Sequence, residues 1–204
     1  MIKPLLWTLC LAALALVSSC ANLQVAQQVQ AGRAALQTGR PDDAVVYLTR
    51  AAEQNPDYTI PYRIPVSVLS YLGRGYYETG KDMEARITLE KALGRNKEDH
   101  LARLYLGLSL ARSEGLGRGR MDLESGLKGI QGWLDYLAAD NLSGVYYDPA
   151  QEIRSSIQRT LFGKLNPEEL LSTARRIGSE VDEEIDKARR DESRSRYDRG
   201  GGDS

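Results

Sequence analysis

The fold is decided by the stretch Ala31–Ala51, AGRAALQTGRPDDAVVYLTRA, and by its partial copy Leu72–Ala92, LGRGYYETGKDMEARITLEKA. In both stretches small residues and one leucine follow each other at steps of seven, five, four and three residues. These positions are Gly32, Gly39, Ala44, Leu48 and Ala51 in the first copy, and Gly73, Gly80, Ala85, Leu89 and Ala92 in the second. The recurrence indicates an internal repeat. A glycine ends one helix, and small residues in the next let two helices approach closely, so each copy predicts a helical hairpin.

The glycines and prolines that begin and end helices place the first unit at about 24–57 and the second at about 66–97. Pro41 stands at the start of the predicted second helix of the first unit, where its missing N–H costs nothing. Pro56 ends that helix. The sequence therefore predicts an all-α fold.

The second unit resembles the tetratricopeptide repeat. That family has a Leu-Gly pair and a tyrosine on its first helix and a glycine at the turn, matched here by Leu72-Gly73, Tyr76 and Gly80. The two alanines on its second helix are also present, and the first unit has Ala31-Gly32 in place of Leu-Gly. The resemblance implies a short right-handed superhelix of helical hairpins.

A third unit, 98–140, begins in register, because Leu106-Gly107 follows the corresponding pair of the second unit by 34 residues. The glycine-rich stretch Gly115–Gly119 is interpreted as a longer turn, with the pattern resuming about seven residues late at Gly126, Ile130 and Trp133. We therefore expect an elongated helix across the end of the array. Trp133 is either a core residue or a residue that stacks on a ligand, and the neighbouring leucines favour the core.

The N-terminus carries a targeting signal. Residues 1–19 contain one basic residue and an apolar run that is shorter than the roughly 20 residues of a membrane span, which is typical of a secretory signal. Val17–Cys20 resembles the lipobox of bacterial lipoproteins, which implies cleavage before Cys20 and lipidation of its thiol. The alternatives are an ordinary secretory peptide with an unrelated cysteine, or a buried structural thiol. By resemblance to the Gram-negative sorting rule, Ala21 favours the outer membrane, with the protein facing the periplasm.

Composition argues against several classes of function. The mature chain would carry 26 basic and 28 acidic residues, because only Lys3 is lost with the signal, so charge gives no case for nucleic acid. His100 is the single histidine, and the mature chain has no thiol besides Cys20, so a histidine or cysteine metal site is not expected. No Gly-x-Ser-x-Gly motif is present. We expect a protein that is not an enzyme and has no cofactor.

The C-terminal part, 141–190, predicts two helices. Asp148 can cap a helix that begins at Pro149, and Asn166 precedes a second helix start at Pro167. The second helix has a narrow apolar stripe, so it either packs against the array or pairs with another chain. Tyr146 and its neighbour Tyr147 either contact a partner or hold the loop against the domain. Residues 191–204 are rich in Arg, Asp, Ser and Gly and are predicted to be disordered.

The resemblance also implies where a partner would bind, because the first helix of each repeat lines the inner groove in that family. Carried over by register, the candidate partner-binding residues are Arg33, Gln37, Arg74, Tyr77, Leu108 and Arg112. The three arginines either grip carboxylates of a partner or face the acids of the C-terminal helix.

These observations favour an outer-membrane lipoprotein that binds a protein or peptide as a scaffold or accessory in envelope assembly, secretion or pilus biogenesis. The alternative is a factor associated with peptidoglycan or another glycan that regulates a cell-wall enzyme.

Overall fold

A computed structural model describes residues 22–140 and 144–200, and within them the chain is all-α. The helices are α1 (22–37), α2 (Pro41–Gln54), α3 (Val68–Glu78), α4 (Asp82–Arg95), α5 (His100–Glu114), α6 (Leu116–Ala138), α7 (Glu152–Phe162) and α8 (Pro167–Gly200). The predicted signal peptide and Cys20 lie outside the described residues. No helix in 22–140 or 144–200 combines the length and apolarity needed to cross a membrane.

The first six helices form three hairpins, each closed by a contact between a glycine and a leucine 16 residues later. The pairs are Gly32 with Leu48, Gly73 with Leu89, and Gly107 with Leu123. A Cβ added to any of these glycines would lie less than 3.0 Å from an atom of its leucine, so only glycine allows this approach. The repeated sequence intervals therefore correspond to the same packing contact in each of the three hairpins.

The third hairpin keeps the register of the other two, and the prediction that it resumes seven residues late is wrong. Helix α6 begins at Leu116, so the glycine-rich stretch is a turn at Gly115 alone. Gly119, Leu123 and Gly126 are buried at the places that Ala44, Leu48 and Ala51 hold in α2. Glycine replaces alanine at two of these places, and α5 and α6 therefore approach so closely that their backbones touch.

The turns inside the first two hairpins require glycine. Gly39 and Gly80 have φ angles of +71° and +77°, in the left-handed region that other residues avoid. The N–H of Arg40 donates to the carbonyl of Ala35, and that of Lys81 donates to Tyr76, which closes the end of each first helix. This geometry explains why the interval of seven residues recurs.

Neighbouring hairpins are joined by a buried carboxylate at the start of α5. Asp99 caps α5 by accepting from the N–H of Ala102 at 3.1 Å. Its second oxygen accepts from the N–H of Ser67 at 3.1 Å and from the hydroxyl of Ser70 at 2.6 Å, both at the start of α3. Because Asp99 is fully buried, these bonds fix the starts of two first helices side by side.

The C-terminal part differs from its prediction at two boundaries. Asp148 does cap α7, accepting from the N–H groups of Ile153 and Arg154 at 3.1 Å, but the helix begins three residues after Pro149, at Glu152. The sequence predicts disorder over 191–204, whereas α8 continues to Gly200. Residues 201–204 lie outside the described part.

Two open alternatives are resolved by packing. Tyr147 is buried and Tyr146 packs against the core, so this pair holds the loop to the domain. Trp133 is half-buried against the core and against the His100 ring, with the ring centroids 4.6 Å apart. This packing is the arrangement that the core interpretation predicts.

The helix contacts predict opposite effects for two glycine-to-alanine substitutions. Gly73→Ala should lower the free energy of unfolding by about 1–3 kcal/mol, because its methyl group overlaps the buried side chain of Leu89. Gly94→Ala in α4 is the control, since open space surrounds Gly94 and alanine favours a helix by about 0.8–1 kcal/mol. Urea denaturation followed by circular dichroism measures both. Equal stability of the two variants would contradict the close approach.

Candidate functional site

Helix α8 lies across the first helices of the three hairpins. Its buried face is apolar apart from one aspartate and contains Leu170, Ala174, Ile177, Val181, Asp182, Ile185 and Ala188. It contacts α5 directly and makes side-chain hydrogen bonds to α1 and α3. Of the two alternatives for this helix, packing against the array is the one that the structure has. We call the covered part of α1, α3 and α5 the inner surface.

Asp182 of α8 lies at the centre of the contact between α8 and the inner surface. Its Oδ1 accepts from Arg33 at 3.1 and 2.6 Å and from the hydroxyl of Tyr71 at 2.8 Å. Its Oδ2 accepts from Arg74 and from the amide of Gln37, both at 3.4 Å. Both oxygens of this fully buried carboxylate are therefore saturated by donors from α1 and α3.

Arg33 is buried, with 1% of its surface exposed, and its guanidinium is surrounded by aromatic rings and carboxylates. Its guanidinium lies over the rings of Tyr71 and Tyr62, at 5.1 and 5.5 Å from their centroids, and also pairs with Asp186 at 3.1 Å. Burial alone would lower the pKa of Arg33, but its interactions with Tyr71, Asp182 and Asp186 outweigh burial and raise it. Arg33 is thus a fixed positive charge at every accessible pH.

Arg74 is less completely satisfied than Arg33. Its Nη2 donates to the hydroxyl of Ser179 on α8 at 3.0 Å. Its Nε is buried and has no hydrogen-bond partner among the described residues, and the same holds for the hydroxyl of Tyr105, whose ring Arg74 overlies at 5.6 Å. Buried polar atoms without partners cost about 1–3 kcal/mol each. The contact between α8 and the inner surface is therefore imperfect around Arg74.

Three of the six predicted partner-binding residues converge in the structure, and three do not. Arg33, Gln37 and Arg74 all donate to Asp182. Leu108 and Tyr77 are buried in the core, and Tyr77 packs edge-to-face on Tyr105. These two side chains support the array from within.

Arg112 points away from the other two arginines. It forms a double contact with Asp82 at the start of α4, with its Nε 2.9 Å from both carboxylate oxygens. Its guanidinium stacks on Tyr77 at 3.9 Å and donates to the Tyr77 carbonyl. Arg112 therefore joins the ends of two hairpins, and the row of arginines consists of two members.

The ends of α8 are attached by exposed pairs. Arg175 forms a double contact with Glu78 at the end of α3, at distances between 2.5 and 3.0 Å. About four turns further along α8, Arg189 lies over the ring of Tyr62, and Glu192 pairs with Arg63 at 3.6 Å. Exposed pairs of this kind contribute about 0–1 kcal/mol each, so the buried face dominates the docking of α8.

A second concave region lies between α7 and α8. It is a polar cleft of about 770 Å³. Its walls carry Arg159 from α7 and Arg176, Glu183 and Arg190 from α8. Asp148, at its rim, has a positive φ of 47° and donates its N–H to Glu184 at 2.7 Å. The cleft offers hydrogen-bond donors and acceptors of both charges.

His100 is a packing residue in this structure. Its ring lies between Gly129 and Trp133, and its Nδ1 is buried without a hydrogen-bond partner in the described part. Burial lowers the pKa of His100, so the ring is neutral at pH 7. Residues 22–140 and 144–200 contain no group of three or more His, Cys, Asp or Glu placed to hold a metal ion.

Sequence reasoning missed Tyr71, Asp182 and Ser179, although one signal was present. The apolar stripe of α8 recurs at three- and four-residue steps, and Asp182 follows Ala174 and Gly178 at steps of four. It thus falls on the apolar face, where an acid has to find a buried partner. Of the two acids that follow Asp182, Glu183 is exposed, whereas Glu184 accepts from the N–H of Asp148 in the loop before α7.

Comparisons of the chain with protein-family models, with curated proteins and with solved structures find no match.

The buried cluster predicts a large loss of stability when its carboxylate is removed. Asp182→Ala leaves Arg33 and Arg74 buried without their shared counter-ion, so the free energy of unfolding should fall by about 3–5 kcal/mol. Glu183→Ala, which changes the exposed neighbour of Asp182, should stay within about 0.5 kcal/mol of the wild type. Urea denaturation compares the three proteins. A change below about 1 kcal/mol in the Asp182 variant would contradict the central role of this carboxylate.

Because of the buried tyrosines of the inner surface, we expect the free energy of unfolding to fall at alkaline pH. Burial raises the pKa of Tyr105 to about 12 and that of Tyr71 well above its usual value. Their contribution to the free energy of unfolding is complete below pH 10, where tyrosine in the unfolded chain is still protonated. It is lost as the pH rises from there through the folded-state pKa values. For Tyr105 this amounts to about 3 kcal/mol between pH 10 and 12.

Tyr105→Phe tests whether the Tyr105 hydroxyl causes the loss of stability at alkaline pH. The substitution removes a hydroxyl that has no hydrogen-bond partner in 22–140 or 144–200, so stability at pH 7 should be unchanged or higher. Stability should then fall less steeply between pH 10 and 12 than in the wild type, as measured by urea denaturation at each pH. An identical slope would exclude Tyr105 as a source of the alkaline transition.

Proposed function

We propose that the protein is a lipid-anchored scaffold of the outer membrane, built from tetratricopeptide-like hairpins, that holds a protein or peptide partner in the periplasm. In this proposal it acts as an accessory of envelope assembly, secretion or pilus biogenesis and has no catalytic activity. The observation that carries the proposal is the glycine–leucine contact, repeated at the same 16-residue spacing in three successive hairpins.

That contact supports the tetratricopeptide resemblance in the following way. Each hairpin has one face that it cannot bury alone, and stacking of neighbours buries it, as α2 does against α3 and α4 against α5. Repeats stacked in this way form a right-handed superhelix in the family and present their first helices on one side. The inner surface is composed of these first helices.

The anchor is supported by the sequence before the array. Cys20 follows a short apolar run and two serines, and helix α1 is described from residue 22 onward. Two or three acyl chains on Cys20 would hold the protein at a membrane with long residence, at about 0.8 kcal/mol per buried CH₂ group. The hairpins would then be positioned close to the lipid surface.

Binding is favoured over catalysis by the state of the polar side chains. The single histidine is a neutral packing residue in the structure, and the buried arginines face a carboxylate that they hold rigidly. Two equivalent arginines with a shared carboxylate form a recognition site for an acidic group.

A second candidate is supported by the polar cleft between α7 and α8. Peptidoglycan offers hydroxyl, amide and carboxylate groups, and the cleft carries free charged side chains of both signs, including Arg159 and Glu183. In this case the hairpins would support the cleft, and the protein would co-sediment with purified peptidoglycan.

The scaffold proposal is tested by removing the anchor while the partner is trapped. A photo-crosslinking residue at exposed Gln37 should yield a reproducible adduct with one protein that mass spectrometry identifies, and Lys91 on the opposite side of the array is the control position. Cys20→Ala should move the protein from the membrane pellet to the soluble fraction and reduce the adduct. Retention in the pellet would refute the anchor. An adduct at neither position, together with co-sedimentation with peptidoglycan, would favour the second candidate.

A further inference from the structure

The two buried arginines occupy the same place in successive repeats. Arg33 follows Gly32 and Arg74 follows Gly73, and both glycines make the equivalent contact in their hairpins. The array therefore presents two guanidinium groups one repeat apart on its inner surface. A single carboxylate, that of Asp182, lies between them and bonds to both. The repeat itself thus creates a receptor for one acidic side chain on a helix.

Helix α8 fills this receptor, but it leaves part of the receptor unused. The Nε of Arg74 and the hydroxyl of Tyr105 are buried without hydrogen-bond partners among the described residues, on the side where Gly178 faces Tyr105. Gly178 has no side chain with which to accept or donate a bond. A helix with a polar side chain near this place, lying far enough from Tyr105 to make room for it, would satisfy groups that α8 leaves unpaired, and would gain free energy that α8 does not.

The attachment of α8 allows it to leave. Residues 163–166 connect it to α7, and it contributes no helix to the three hairpins, whose glycine–leucine contacts lie entirely within α1–α6. Its buried face alternates the apolar Leu170, Ile177, Val181 and Ile185 with the small residues Ala174, Gly178 and Ala188, which bury little apolar area, so the docked face is only partly built of large side chains. Release of α8 would expose the inner surface while the glycine–leucine contacts of the hairpins stay in place.

We propose that the inner surface is the binding site for an amphipathic helix of a partner protein, and that α8 is its intramolecular competitor. The partner helix carries an aspartate or glutamate beside an apolar stripe, as Asp182 follows Val181 and precedes Ile185. This inference rests on the scaffold function proposed above and defines the chemistry of its partner.

A partner protein fits this site better than a second copy of the chain. Another copy offers the same α8, which would have to replace an identical helix whose effective concentration is already raised by its covalent connection. A helix of different sequence can in addition offer partners to Arg74 Nε and the Tyr105 hydroxyl, which docked α8 leaves unpaired among the described residues. The site therefore favours a heterologous ligand.

The experiment uses a labelled peptide of residues 167–190 as the probe and the full chain as the receptor. Ile185→Ala weakens the docking of α8 and leaves every residue of the inner surface unchanged, whereas Glu183→Ala changes an exposed residue of the same helix. Fluorescence anisotropy should show the peptide binding Ile185→Ala at least tenfold more tightly than the wild type or Glu183→Ala, because a larger fraction of the receptor is open.

The carboxylate is tested on the probe. A peptide carrying Asp182→Asn should bind Ile185→Ala at least tenfold more weakly than the native peptide, since it loses the charge that pairs with Arg33 and Arg74. If Ile185→Ala fails to fold, as judged by circular dichroism, Leu170→Ala at the beginning of α8 serves as the milder variant.

Three results would overturn the proposal. The first is equal binding of the native and Asn peptides, and the second is the absence of binding to a folded variant. The third is a dimer of the wild type that the peptide dissociates, which would assign the inner surface to a second copy. If the Gln37 adduct persists in cells while any of these results is found, the scaffold function stands and only the acidic-helix partner is refuted.

Discussion

One buried carboxylate, Asp182, holds together parts of the chain that are far apart in sequence. Two arginines and a tyrosine from α1 and α3 converge on it, and its removal would leave Arg74 buried without a counter-ion and Arg33 with Asp186 alone. An ion cluster of this kind contributes little net stability relative to apolar packing, but it tolerates few alternative arrangements. It therefore fixes the position of α8 along the array, while the flanking apolar residues supply the free energy of docking.

The hairpins depend on a simpler constraint, the absence of a side chain at Gly32, Gly73 and Gly107. Sequence intervals were sufficient to predict the first two hairpins, because glycine, alanine and leucine recur there at identical steps. They failed for the third, because Gly115–Gly119 was taken for a loop. Glycine makes a helix less stable than alanine does, but here it permits backbone contact between α5 and α6. The gain from this tertiary packing outweighs the lower helix propensity.

The site was predictable in part. The equivalence of Arg33 and Arg74 follows from the repeat, and the acids of the C-terminal helix were one of the two expected partners. Asp182 itself was not identified, since its role depends on which face of α8 meets the array, and that is decided by contacts more than a hundred residues apart. Arg112 illustrates the opposite case. Its position in the repeat resembles that of the other two arginines, but it pairs with Asp82 at the start of α4 and not with Asp182.

Helix α8 also changes how the array responds to stress. In a simple solenoid each repeat touches only its neighbours, so the repeats can open one at a time and the array bends like a spring. Here one helix is bonded to Arg33 in the first hairpin and to Arg74 in the second, and packs on Tyr105 in the third. It therefore couples the three hairpins, and we expect them to unfold as one cooperative block. Departure of α8 would remove this coupling, so that each hairpin would again contact only its neighbours.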